Sequence, residues 1–125
     1  METGTAIALR EELIQALRAH ADWKQFLYDS ARRRETDLPV AHIKSHSCCR
    51  FGAWMNALPP ILRISRDARE VNRLHEEFHA CAGAIAEMIV RGEFPQAHAA
   101  LNGEEYNRLS VELERAVSRW HMAAA

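Results

Sequence analysis

Apolar residues recur at spacings of three and four along residues 66–91, and this periodicity predicts one long amphipathic helix. Two histidines, His75 and His79, fall within its wide apolar face. Gly92 follows the last apolar position, where glycine commonly ends a helix. Such a helix must bury its apolar face against other helices here, because no segment of the sequence alternates as a strand does.

Three further segments have the same periodicity. They are predicted at about residues 5–33, 40–58 and 95–121, with a break in the last one expected at Asn102-Gly103. Prolines flank the second of them and should end it. Four amphipathic helices with short connections predict an all-α fold, an antiparallel four-helix bundle that leaves room for an additional short helix.

The length of 125 residues fits a single domain, residues 1–125. Sixteen basic and 17 acidic residues leave a net charge of −1, which argues against a dedicated nucleic-acid binder. No stretch is apolar enough for a signal peptide or a membrane span, so we expect a cytoplasmic protein. Three cysteines, with Cys48 and Cys49 adjacent, favour reduced thiols or a metal ligand over a disulfide framework.

His75 and His79 are one helical turn apart, so both imidazoles project from the same face and can share one metal ion. A single histidine on an apolar face is more often a hydrogen-bonded core residue than a ligand. Two polar rings side by side in a core both need partners, and one metal ion would supply a partner to each. The pair therefore points to a metal site.

Two more candidate ligands lie near the inner faces of the first two helices. His20 falls on the apolar stripe of the first, and Cys49 lies one position off the apolar line of the second, on which Cys48 itself falls. Periodicity leaves open which cysteine faces the site. Three imidazoles and one thiolate suit the tetrahedral preference of Zn²⁺, and such a closed shell indicates a structural or sensing site.

Residues 75–79 also read His-Glu-Glu-Phe-His, which satisfies the five-residue signature of zinc peptidases with Glu76 as the general base. That signature is weak by itself. A catalytic zinc needs three protein ligands, an open position for water and a substrate cleft, and this chain is short for such an architecture. We therefore expect a protein that is not an enzyme, with the metallopeptidase as an alternative.

The remaining histidines fall outside the clean apolar stripes, and surface positions are expected for them: His42, His46, His98 and His121. His42 and His46 are four residues apart in the second predicted helix. A second, weak metal site at that pair is a minor alternative.

Three stretches of the sequence resemble the motifs of the chemoreceptor zinc-binding (CZB) domain family. They are Ala-His-Ala-Asp-Trp-Lys at 19–24, Cys-Arg-Phe-Gly-Ala-Trp at 49–54 and His-Glu-Glu-Phe-His-Ala at 75–80. The resemblance implies a cytosolic bacterial helical bundle that binds Zn²⁺ through three histidines and one cysteine. Matched to this chain, the ligands are His20, Cys49, His75 and His79. The motif also selects Cys49 over Cys48.

The same resemblance implies a homodimer that regulates an attached or separate output protein, a chemoreceptor or a diguanylate cyclase, in response to zinc or oxidants. A structural zinc-bound dimerisation module is the second hypothesis. Gly52 would allow close helix approach, and Trp23 and Trp54 would shield the site. Cys48 and Cys81 are interpreted as packing residues, and Trp120, near the end of the last helix, as a residue that a second subunit could cover.

Overall fold

A computed structural model of the chain describes residues 4–124, with side chains from residue 8 onward. Within this part of the chain there are helices and no strands, so the predicted all-α class is confirmed. The helices are α1 (Gly4–Arg33), α2 (Val40–Lys44), α3 (Arg50–Asn56), α4 (Pro60–Arg63), α5 (Arg66–Val90), α6 (Phe94–Leu101) and α7 (Glu104–Ala123).

The bounds of helix α5 agree with the prediction to within one residue. It begins after Ser65, whose hydroxyl oxygen accepts a hydrogen bond from the backbone N–H of Ala68 at 3.2 Å. It ends before Gly92, which adopts a φ of +79°. Only glycine takes this left-handed conformation without strain, so the sequence stops the helix here.

The long helices α1, α5 and α7 are amphipathic. Each buries one face in a common core and exposes charged residues on the other. In the described part of the chain, no helix combines the length and the apolar character that crossing a bilayer would require. The expected break in the fourth segment is confirmed, since α6 ends at Leu101 and α7 begins at Glu104.

The prediction of one continuous helix over residues 40–58 is wrong. The structure has two short helices there, α2 and α3, and residues 45–49 between them are not helical. Ser45 has an extended backbone, with φ −87° and ψ 111°, which ends α2, and its hydroxyl group lies 3.1 Å from that of Ser47. Helix α4, directly after Pro59, is the additional short helix.

Helix α5 is the centre of the bundle, because it contacts each of the other six described helices, while α1 also packs against α6 and α7. The core is built from apolar side chains of α1, α5 and α7, with contributions from every other helix except α4. Its largest fully buried members include Phe78, Leu13 and Leu27. Trp120 is only 4% exposed, so it belongs to this core, and the expectation that it needs a second subunit to cover it is wrong.

Gly52 holds α3 tightly against the preceding loop. A Cβ atom added at this position would lie 1.7 Å from the carbonyl oxygen of His46 and 2.7 Å from its carbonyl carbon. Both atoms belong to the backbone and cannot turn aside as a flexible side chain would. The close approach that the sequence suggested for Gly52 is therefore real, although its partner is the loop after α2.

We predict that Gly52→Ala destabilises the protein by about 1–3 kcal/mol, because overpacking at backbone forces a shift of the loop or of α3. Urea unfolding of the zinc-free protein would measure this. Asn56→Ala, an exposed change in the same helix, is the control and should stay within about 0.5 kcal/mol of the original chain. Equal stability of all three proteins would contradict the tight contact.

Candidate metal centre

His20 lies on the buried face of α1, four residues after Ala16. Its Nδ1 is 2.7 Å from the Ala16 carbonyl oxygen, which can only accept a hydrogen bond. The Nδ1 atom must therefore carry the proton, and in the neutral ring this leaves a lone pair on Nε2. Helix α1 thus fixes both the position of the ring and the tautomer that can bind a metal ion.

His79 is held in the same way from a different element. Its Nδ1 donates a hydrogen bond to the carbonyl oxygen of Ile43, in α2, at 2.8 Å. Its Nε2 is buried and has no hydrogen-bond partner. A lone pair buried without a partner is costly, and a metal ion is a partner that would remove this cost.

His75 lies one turn before His79 and is completely buried. The two rings are 4.5 Å apart between centroids, and the ring of His20 is 4.9 Å from that of His75. The Nε2 of His75 is 3.3 Å from the sulfur of Cys49, whereas its Nδ1 has no partner. The three imidazoles therefore form one cluster with the cysteine at its edge.

Cys49 is the residue that caps the N-terminus of α3. Its backbone is extended, and its sulfur accepts a hydrogen bond from the backbone N–H of Gly52 at 3.3 Å. The side chain is half-buried and directed to His75. Cys48, by contrast, is exposed, so its interpretation as a packing residue is wrong. Cys81 is half-buried against the core, as expected.

One ligand atom from each of four residues lies within 4.8 Å of the other three: His20, Cys49, His75 and His79. Among the described residues, no other histidine, cysteine or acidic side chains form such a group. Small inward movements of the rings would reach the metal–ligand distances of about 2.0–2.3 Å that zinc adopts with nitrogen and sulfur. The donor set and the unpartnered nitrogen of His79 both fit a zinc ion.

Burial sets the electrostatics of the cluster. The pKa of His20 is lowered to about 4, mainly because burial penalises the charged ring. The pKa of His75 is lowered further, to about 2, by burial and then by the charges of neighbouring imidazoles. Burial raises the pKa of the Cys49 thiol, and backbone hydrogen bonds from Gly52 and Phe51 act against this rise. The rings are therefore neutral and ready to bind metal, and zinc binding must displace the thiol proton.

Aromatic rings enclose the imidazoles. Phe51 is 5.2 Å from His75, and Phe78 is 5.3 Å from His20, both edge-to-face. Trp23 contacts His79 at 6.3 Å, which agrees with its expected shielding role. Trp54 stacks on Phe51 at 5.7 Å and so supports the enclosure from one ring further out. The sequence placed both phenylalanines on apolar stripes without identifying them as neighbours of the site.

The other histidines follow the expectation of surface positions only in part. His42 and His98 are exposed, while His46 and His121 are half-buried. The ring of His46 is 6.1 Å from that of His75, so His46 adjoins the cluster. Its position was missed because the sequence suggested a helix where the loop lies. Helix α2 ends at Lys44, so His42 and His46 are not one turn apart on a helix, and the described residues provide no third ligand beside them.

Glu76 does not share the surroundings of the two histidines that flank it. It is exposed, whereas His75 and His79 are buried. Glu76 is therefore a solvated carboxylate next to the apolar stripe.

The fold and the site together define a small all-α metal-binding domain with three imidazole donors and one thiol. The family model of the chemoreceptor zinc-binding domain matches residues 20–86, which is more than half of the chain and includes all four clustered residues. The chain therefore belongs to the chemoreceptor zinc-binding domain family and is a zinc-binding domain. Neither the curated proteins nor the solved structures include a match to this chain.

The lowered histidine pKa values predict an acid-sensitive zinc-free protein. In the unfolded chain a histidine titrates near 6.5, whereas in the folded one His20 titrates at about 4. Unfolding therefore takes up protons below pH 6.5, and the stability that the neutral rings contribute is complete above this pH. Below it, that stability decreases toward pH 4 at about 1.4 kcal/mol per pH unit for each ring.

Urea unfolding of the zinc-free protein between pH 7 and pH 5 would measure the slope. We expect His75→Leu to flatten it, because the ring that must charge on unfolding is gone. His98→Ala removes an exposed ring and serves as the control with an unchanged slope. An unaltered slope in His75→Leu would show that His75 takes up its proton as readily in the folded protein as in the unfolded chain.

Proposed function

We propose that His20, Cys49, His75 and His79 together bind one zinc ion, and that the domain, residues 1–125, uses this site to regulate an output protein. The observation that carries the proposal is the convergence of four ligand atoms from three separate elements: α1, the start of α3, and α5. Family membership supports the identity of the metal.

The proposed site is closed. Four protein ligands complete a tetrahedral shell, so no position remains for a water molecule or a substrate. When bound, zinc would supply bonds that tie α1 and α3 to α5. The residues themselves do the positioning: the Ala16 and Ile43 carbonyl groups orient two rings, and Gly52 orients the sulfur. A site of this kind favours a regulatory or structural role.

We predict one zinc ion per chain after dialysis, measured by elemental analysis. Replacing His79 or Cys49 by alanine should weaken zinc binding by more than the ~10–100-fold that loss of an outer-shell partner causes, because a direct ligand is lost. His98→Ala is the control and should keep one equivalent and the original affinity. Full affinity in the His79 variant, or two equally tight zinc ions in the original chain, would contradict the proposed ligand set.

Cys49 is the ligand best suited to transmit a signal. It is the only oxidisable donor of the four and the most accessible of them. A peroxide would transfer one oxygen atom to the Cys49 sulfur and leave as water, converting the thiolate to a sulfenic acid that binds zinc poorly. Loss of this ligand would loosen the connection between α3 and α5, and zinc depletion would have the same effect. We propose, as the family resemblance implies, that the output partner is a chemoreceptor or a diguanylate cyclase and that the domain acts as a homodimer in the bacterial cytoplasm.

We predict that hydrogen exchange becomes faster around residues 16–24 and 45–54 when zinc is chelated or the protein is oxidised, with the outer part of α7 unchanged. The reason is that His20 and Cys49 each connect a different element to α5, whereas α7 carries no proposed ligand. Cys48→Ser, which removes an exposed thiol and keeps Cys49, is the control and should respond as the original chain does. A uniform rise in exchange would favour the second hypothesis, a structural zinc-bound dimerisation module.

The metallopeptidase alternative has little support. Glu76 is exposed while the flanking histidines are buried, and the fourth ligand fills the position that a water molecule would need. We propose that the protein is not an enzyme. Peptide cleavage that is abolished by Glu76→Gln would overturn this view.

A further inference from the structure

Cys49 is the most exposed of the four residues at the proposed zinc site. His20 is 9% exposed, His79 1% and His75 not at all, and phenylalanine rings cover two of these imidazoles. Cys49 is half-buried and lies at the end of the 45–49 loop. A cavity between α1 and α7 also reaches His20 and Phe78, but Cys49 is more exposed than His20. The passage that leads most directly from solvent to a ligand therefore runs beside Cys49 and the 45–49 loop.

His46 stands at that passage. Its half-buried ring is 6.1 Å from the ring of His75 and almost perpendicular to it, at 87°. The charge of His46 also contributes to lowering the pKa of both His75 and His79, as expected of a group close to the two rings. No hydrogen bond or ion pair fixes the His46 side chain among the described contacts. The ring is thus near the site, and packing alone sets its orientation.

A close contact holds the backbone at His46. The His46 carbonyl group packs against Gly52, at a distance that leaves no room for a Cβ atom. The loop is therefore held close to α3, and a turn of the His46 side chain alone changes where its nitrogen atoms lie. The fixed backbone thus keeps the His46 ring beside that of His75, at 6.1 Å between centroids.

We propose that His46 is an exchange ligand, which binds zinc transiently as the ion passes between solvent and the four donors. The inference rests on the proposed ligand set. On release, a His46 nitrogen forms a bond to zinc as the Cys49 sulfur–zinc bond breaks, and the thiolate then takes a proton from water. Zinc keeps four ligands throughout, so the ion avoids an undercoordinated intermediate. Uptake follows the same steps in reverse.

This role predicts a specific change in the rates of zinc uptake and release. His46 binds in the passage state and not in the final site, so its loss should slow uptake and release by the same factor and leave the dissociation constant unchanged. For His46→Ala we expect both rates to fall about tenfold, which corresponds to about 1.4 kcal/mol of barrier. The number of zinc ions per chain should remain one.

The experiment is stopped-flow mixing of the full chain with zinc and, separately, of the zinc-loaded chain with an excess of a coloured chelator. His46→Ala is compared with His98→Ala, which removes an exposed ring that contacts Tyr28 instead of the site. His46→Gln tests coordination directly, because a side-chain amide can hydrogen-bond but is a poor zinc ligand. We expect the glutamine variant to be as slow as the alanine variant.

Three results would overturn the inference. Unchanged rates in His46→Ala would show that His46 takes no part in exchange. Rates restored by glutamine would assign His46 a packing or hydrogen-bonding role. A higher dissociation constant with an unchanged rate of zinc uptake would show that His46 only positions His75. Failure of the proposed function itself is visible separately, as an original chain that binds no zinc.

Discussion

The structure depends on a pair of imidazoles buried side by side on α5. The rings of His75 and His79 are 4.5 Å apart in the core, where an unpartnered polar atom is costly. Residues of two neighbouring elements contact these rings and reduce this cost. The Ile43 carbonyl oxygen accepts a hydrogen bond from His79, and the sulfur of Cys49 lies against the ring of His75. The Nδ1 of His75 and the Nε2 of His79 remain without a hydrogen-bond partner, and a metal ion bound at the cluster would supply a partner to the Nε2 of His79.

The loop between α2 and α3 connects this site to the local fold. Cys49 is both the cap of α3 and a proposed zinc ligand, so one sulfur atom serves two structural roles. The backbone N–H of Gly52 donates a hydrogen bond to this sulfur, and Gly52 itself packs against the His46 carbonyl group. Any change at the sulfur therefore reaches the start of α3 and the loop directly. A continuous helix in this region would not offer such a connection, because its backbone groups would be engaged within the helix.

The features that were predictable from sequence are those set by local chemistry. Helix α5 follows from apolar spacing, a serine cap and a terminal glycine, and all three act within a few residues. The break before α7 follows from Asn102-Gly103 in the same way. The second segment was misjudged because its apolar spacing is compatible with a helix. In the folded chain, α2 and α3 each contact α5, and Gly52 packs on the His46 carbonyl group. These contacts favour two short helices with a loop between them over one continuous helix.

The sequence by itself determined the family and the four candidate ligands, because three short motifs carry the residue types and the spacing on α5 places two histidines on one face. Only the tertiary structure decided which groups become neighbours across elements. It brought the ring of His46 next to that of His75, exposed Cys48 and buried Trp120. Periodicity describes one helix at a time, whereas these outcomes depend on how separate helices and a loop pack around α5, which no single segment encodes.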